Sequence, residues 1–153
     1  MVYSKQFLSL PLVLAALCAS TFAQQQTDFA RDLMPAFEQA LCRQCHSDNG
    51  VASTTRLQFP GEKATADEIR AFSLRLRDFV DVSAPEKSLL VVKPIAAVPH
   101  GGGERIKKGS PAAQALLNWA RHLAQMDEAR WQSELASLTP KKVQGQKPLV
   151  RRL

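Results

Sequence analysis

The 153-residue chain has no sustained apolar–polar alternation and no internal repeat. The first absence speaks against half-buried β-strands, the second against a solenoid or propeller. It has only three cysteines, with no second closely spaced pair among them. A structural zinc site usually needs four ligands, often from two such pairs, so the zinc reading lacks half its donors. No apolar run is long enough to span a bilayer comfortably. No basic stripe accompanied by an aromatic platform is visible, which argues against nucleic acid as a partner.

What is present is concentrated in Cys42-Arg43-Gln44-Cys45-His46. C-x-x-C-H is the pattern for covalent haem attachment. The thiols add across the two vinyl groups, and two intervening residues match the spacing of those groups on the porphyrin edge. The adjacent His46 then lies under the ring, where an imidazole nitrogen takes one axial position on iron. A redox disulfide of the C-x-x-C type normally follows a strand in a βαβ unit, and no strand pattern precedes Cys42. Chance is the remaining alternative, weakened by the scarcity of both residue types. The predicted cofactor is one covalent haem c.

The N-terminus reads as an export signal over residues 1–23. Lys5 supplies the positive charge, Phe7 to Leu17 the apolar stretch, and Thr21-Phe22-Ala23 a cleavage site after Ala23. Lipoprotein processing at Cys18 is the alternative and the sole route to membrane attachment, but the large Leu17 precedes that cysteine. The predicted location is the periplasm or an equivalent exported compartment, where c-type haem is attached. Residues 24–138 are expected to form one cytochrome domain and residues 139–153 a basic tail or linker. Lys5 and the five basic residues after Pro140 account for the whole net charge of +6, so the domain itself is neutral. The basic tail reads most simply as a solvated linker.

The domain is expected to be all-α. Phe29, Leu33, Phe37, Ala40 and Leu41 recur at helical spacing, capped by Thr27 or Asp28. Pro35 should bend or delay that helix, leaving Ala36 to Cys42 as its secure part. Ser47 to Lys63 reads as a loop. Thr65-Ala66-Asp67-Glu68 is a capping box opening a helix with Ile69, Phe72, Leu76 and Phe79 on one face. Ser83-Ala84-Pro85-Glu86 repeats the start signal ahead of a short helix through Leu89, Leu90 and Val92, stopped by Pro94. Residues 95–109 are irregular. Ser110-Pro111 starts a last helix with Ala113, Leu116, Leu117, Ala120 and Leu123 in its stripe and Trp119 on the flank; its pattern extends towards Trp131, Leu135 and Leu138. Phe37 and Trp119 are the candidates for a contact between the terminal helices.

The second axial position has four candidates: Met34, His100, His122 and Met126. Met34 lies on the helix entering the motif, on the attachment side. His122 and Met126 sit one turn apart on the last helix, with little freedom to approach iron. His100 lies in an irregular segment between Pro99 and Gly101-Gly102-Gly103, where glycines permit close approach of backbone to a porphyrin. His100 is therefore the preferred ligand, with an open sixth site as the alternative. Two imidazoles set a lower potential than an imidazole–methionine pair.

The run Ala84-Pro85-Glu86-Lys87-Ser88-Leu89-Leu90, then Lys93-Pro94, Val98-Pro99-His100-Gly101-Gly102-Gly103, Gly109-Ser110-Pro111 and Leu116-Leu117-Asn118-Trp119 resembles the planctomycete-type cytochrome c domains over residues 36–124. The resemblance implies an exported, haem-binding, electron-carrying module, and the family's histidine before the glycines maps onto His100. In many relatives the module precedes further domains, and the ending Pro148 to Leu153 has the look of an approach to one. Three functions follow: an electron carrier exchanging electrons with redox partner proteins, not an enzyme; a haem enzyme or gas sensor with an open distal site; or a module feeding electrons to an attached domain.

Overall fold

Pro35 shapes the first turn of the fold. In a regular helix it would lack the N–H for the carbonyl of Arg31 and its ring would clash there. In the computed structural model, which describes residues 27–138, the chain instead widens into a π-helical turn, Phe29–Leu33, closed by the Met34 amide on the Phe29 carbonyl. Helix α1, Met34–Gln39, follows with Pro35 in its first turn, where no N–H is needed. Asp28, one of the two anticipated caps, accepts from the Arg31 amide at 2.8 Å. The export signal, Cys18 and the basic tail lie outside the described residues.

The entering helix does not run to Cys42. Leu41 adopts a left-handed conformation (φ 57°, ψ 30°), ending the helical path and starting a separate turn, α2, over Cys42–Cys45. That conformation costs a non-glycine residue about 1 kcal/mol. Helix α3, Ala66–Arg75, opens with the anticipated capping box: the Glu68 amide donates to the Thr65 hydroxyl at 3.2 Å, and the Thr65 amide to the Glu68 carboxylate at 2.8 Å. It tightens into a 3₁₀ turn, Leu76–Phe79. Pro85–Lys87 forms only a second 3₁₀ turn before helix α4, Leu89–Val92.

Helix α5, Pro111–Gln125, is capped by the Ser110 hydroxyl. Leu116, Ala120 and Leu123 are fully buried along it. Trp119, expected on the flank, is also buried and donates its Nε1–H to the Ser73 carbonyl at 3.3 Å. The last helical pattern is two helices rather than one. Asp127 accepts from the Arg130 amide and restarts the chain as α6, Glu128–Leu138, which packs on α3.

The described residues contain helices and no strand, so the fold is all-α as anticipated. None of these helices is long and apolar enough to cross a membrane. The core is aromatic. Phe29 is the ring partner of both Phe37, at 6.2 Å, and Trp119, at 5.3 Å, so those two meet through Phe29 rather than as the expected pair. Phe72 and Phe59 extend the cluster to the residue whose amide holds the His46 carbonyl.

Candidate functional site

Cys42 and Cys45 sit at the two ends of the single turn α2, half-buried and unpaired. Arg43 fastens the turn from outside, donating to the Pro60 carbonyl and pairing with Glu38 on α1. Burial pushes the Cys42 thiol up to about 11, against the lowering pull of the nearby Arg105 guanidinium. The thiol is protonated at neutral pH, as a packed side chain in apolar surroundings is.

The loop after the motif folds back on it. The Ala52 amide bonds the Cys45 carbonyl and the Phe59 amide the His46 carbonyl, at 2.9 and 2.8 Å. Gly50 passes so close to the Cys45 carbonyl that any Cβ there would overlap it. Gln58 ties the loop internally by donating to the Ser53 carbonyl at 2.8 Å. Thr55 donates its hydroxyl proton to the Ala52 carbonyl at 2.7 Å, leaving its oxygen to accept from the Nδ1–H of His46 at 3.3 Å. That tautomer leaves the Nε2 lone pair of His46 free. Burial lowers the His46 pKa, opposed by the Leu57 carbonyl and reinforced by the charges of His100 and Lys93, so the ring is neutral at neutral pH. A neutral imidazole is the form that ligates metal.

His100 is carried by a loop with a closed neck. The amides of Arg105 and Ile106 both donate to the Pro94 carbonyl, at 2.8 and 3.0 Å. At its tip the Gly103 amide donates to the His100 carbonyl, and His100 Nδ1–H returns a bond to the Gly103 carbonyl at 2.9 Å. A carbonyl only accepts, so His100 Nδ1 carries a proton and Nε2 is the ring nitrogen without a hydrogen-bond partner among the described residues. Gly103 makes this turn at φ 69°, and Gly102 lies against the imidazole, where a Cβ would meet Cε1 at 3.2 Å and Nε2 at 3.6 Å. Among the described residues the non-glycine positions with positive φ are Leu41, just before Cys42, and Ala96, within the His100 loop.

The two histidines, 54 positions apart in sequence, come together. Their rings are nearly parallel, at 10°, with centroids 6.4 Å apart. Two metal–nitrogen bonds of about 2 Å, plus about 1 Å from each nitrogen to its ring centre, separate trans imidazoles by about 6 Å. The centroid spacing matches that of two imidazoles sharing one metal ion, and the turn that leads into His46 carries two free thiols. Among the described residues no three His, Cys, Asp or Glu side chains gather as a metal-binding group. Haem iron needs only two protein ligands, since the porphyrin supplies the rest.

The other axial candidates lie elsewhere. Met34 and Met126 are buried in the core. His122 packs on Trp119 with the rings tilted by 32° and centroids 4.9 Å apart, and both line a cleft of about 430 Å³ with Met126. Neither that cleft nor a second of about 510 Å³ is lined by Cys42, Cys45, His46 or His100.

No family model, curated protein or solved structure matches this chain.

The site rests on residues that the sequence motif alone does not mark. Thr55 and Arg43 hold the C-x-x-C-H turn through hydrogen bonds spanning 9 and 17 positions, and Gly50 lets the loop pass against the Cys45 carbonyl. Nothing in local spacing flags such partners, because each acts across a loop.

Proposed function

We propose that residues 27–138 are the described part of an exported c-type cytochrome domain that carries electrons on one covalent haem. The observation carrying this reading is the pairing of two parallel imidazoles, 6.4 Å between centroids, beside the unpaired thiols of a C-x-x-C-H turn. The resemblance to planctomycete-type cytochrome c domains points the same way, and so does the export signal. The haem iron, when bound, supplies the one-electron chemistry by cycling between ferric and ferrous states.

This chain's own residues do the rest. Cys42 and Cys45 anchor the porphyrin covalently at one edge, so the cofactor does not dissociate during redox cycling. His46 offers Nε2 from the anchored side, its ring oriented through Nδ1 by Thr55. His100 offers Nε2 from the glycine loop, oriented through Nδ1 by the Gly103 carbonyl. Such bonds fix tautomer and ring direction and raise the basicity of the ligating nitrogen. His46 and His100 together would hold the cofactor's metal and leave no position open to small ligands. That suits an electron carrier better than a haem enzyme or gas sensor, and the physiological partners are then redox proteins.

The test is the mature chain expressed with a haem-attachment system. Denaturing mass spectrometry should show one haem added, and the reduced protein should be low-spin and slow to bind carbon monoxide. His100→Ala should admit carbon monoxide at once, and His46→Ala should abolish the stable low-spin spectrum. Apoprotein with free or paired thiols would overturn the haem reading. A wild-type protein already high-spin and binding carbon monoxide immediately would replace the carrier with the sensor or enzyme.

A further inference from the structure

Two cations bracket the His100 loop, Lys93 before it and Arg105 after it, with Glu104 the carboxylate next to Arg105 in sequence. Lys93 closes one side: its Nζ lies 3.4 Å from the carbonyl of Pro99, the residue before His100. Arg105 closes the other: its Nε would stand 3.2 Å from a Cβ on Gly102, the same position that touches the His100 ring. The neck of the loop keeps the two near each other, since the Arg105 amide donates to the carbonyl of Pro94, the neighbour of Lys93. Among the described residues neither cation makes an ion pair, whereas Arg31, Arg43, Arg70, Arg77 and Arg130 each hold a carboxylate.

Both also act across the gap on the attachment motif. The charge of Arg105 is felt at the Cys42 thiol and that of Lys93 at the His46 imidazole. With Lys93 half-buried and Arg105 exposed, this end of the site carries positive charge that an anion entering with the cofactor would meet. Haem brings two propionate carboxylates on the edge of its ring.

We propose that Lys93 and Arg105 form the carboxylate-binding end of the site and hold the haem propionates. The inference rests on the haem reading above and adds an assignment of cofactor orientation. Arg105 presents a planar fork suited to two carboxylate oxygens, and Lys93 a compact point charge on a flexible stem. The porphyrin is then fixed at two edges, covalently at Cys42 and Cys45 and ionically at the neck of the His100 loop. The carboxylates also offset positive charge that would otherwise lie beside the iron.

The test uses full-length haem-loaded protein carrying Lys93→Gln, Arg105→Gln, both together, or Arg105→Lys. Haem addition in wild type is established first by mass, and its absence would overturn the haem reading and this inference together. The readout is the reduction potential as a function of pH, which bends where the propionates ionise. An opposite charge within a few ångströms lowers a carboxyl pKa by about one unit or more. The double variant should therefore move the bend up by about one pH unit or more, with Arg105→Lys close to wild type. A normal haem mass with an unmoved bend in the double variant would overturn this inference alone. An unmoved bend with slower electron exchange towards an acidic redox protein at low salt would assign the pair to partner docking, and would overturn it equally.

Discussion

A Cβ on Gly50 would overlap the carbonyl oxygen of Cys45. The same carbonyl accepts the Ala52 amide at 2.9 Å, so it has no room to retreat. Backbone meets backbone here, and no rotamer change relieves the contact. Gly50→Ala should cost about 2–3 kcal/mol of stability and reduce haem attachment by displacing the Cys45 turn. Gly61, with open space around its Cα, is the control, and Gly61→Ala should leave thermal unfolding and haem yield unchanged. Equal midpoints for the two variants would mean that the loop relaxes away from the motif.

The three glycines after His100 differ in what they do, and substitution should separate them. Gly101 has nothing within reach of a Cβ, so Gly101→Ala should leave the haem spectrum intact. At Gly102 a methyl meets the imidazole at 3.2 Å on one side and Arg105 on the other. Gly102→Ala should push the ring off its axis by a few tenths of an ångström and raise the fraction of protein that binds carbon monoxide. Gly103→Ala keeps open space but strains a left-handed residue, costing about 1 kcal/mol in unfolding experiments.

Much of the helical plan was legible because it follows from local chemistry. The Thr65–Glu68 capping box, the Ser110-Pro111 start and the choice between Thr27 and Asp28 as the first cap all depend on residues within one turn. What was not legible depends on partners further away, or on local signals weaker than those read. Leu41 is a good helix former in isolation, yet it turns left-handed because the chain must leave α1 for the Cys42 turn. The break between α5 and α6 has no glycine or proline. It comes from Met126, extended and buried, and from the Asp127 cap. The Asp81 carboxylate, accepting from the amides of Ser83 and Ala84, likewise takes the role that the pattern suggested for Ser83. At the site, the Cys42–His46 motif was plain from spacing, whereas the approach of His100 to His46 depends on the Pro94 neck and Gly102.

Helix α6 should be a detachable support. It buries no residue fully and holds to α3 through Trp131, whose Nε1–H donates to the Leu74 carbonyl at 2.9 Å and whose ring lies 5.2 Å beneath the Arg77 guanidinium. Glu128 completes the clasp by pairing with Arg77 at 3.2 Å. Trp131→Ala should cost about 2–4 kcal/mol. Trp131→Phe, which loses the hydrogen bond and keeps most of the ring, should cost about 1 kcal/mol. Neither should alter the haem spectrum, because α6 carries none of the four site residues. A changed spectrum in Trp131→Phe would show that the support reaches the His46–His100 pair.

The Cys42 thiol provides a pH test that separates apoprotein from haem-loaded protein. Its pKa is raised from 9.0 to about 11 by burial, so the unfolded chain ionises first as pH rises. Between those values the unfolded state binds fewer protons than the folded one, and stability falls with increasing pH. The loss begins near pH 9 and levels off near pH 11. With Cys42 partly exposed, the whole drop should be about 1–2 kcal/mol rather than the full value of the shift. Cys42→Ser should remove it, and a thioether at Cys42 should remove it too, because a thioether has no proton to lose. Denaturant unfolding at pH 8, 9, 10 and 11 on apoprotein, Cys42→Ser and haem-loaded protein would show a decline in the first alone. The same decline in haem-loaded protein would mean that Cys42 remains a free thiol there and that attachment is through Cys45 alone.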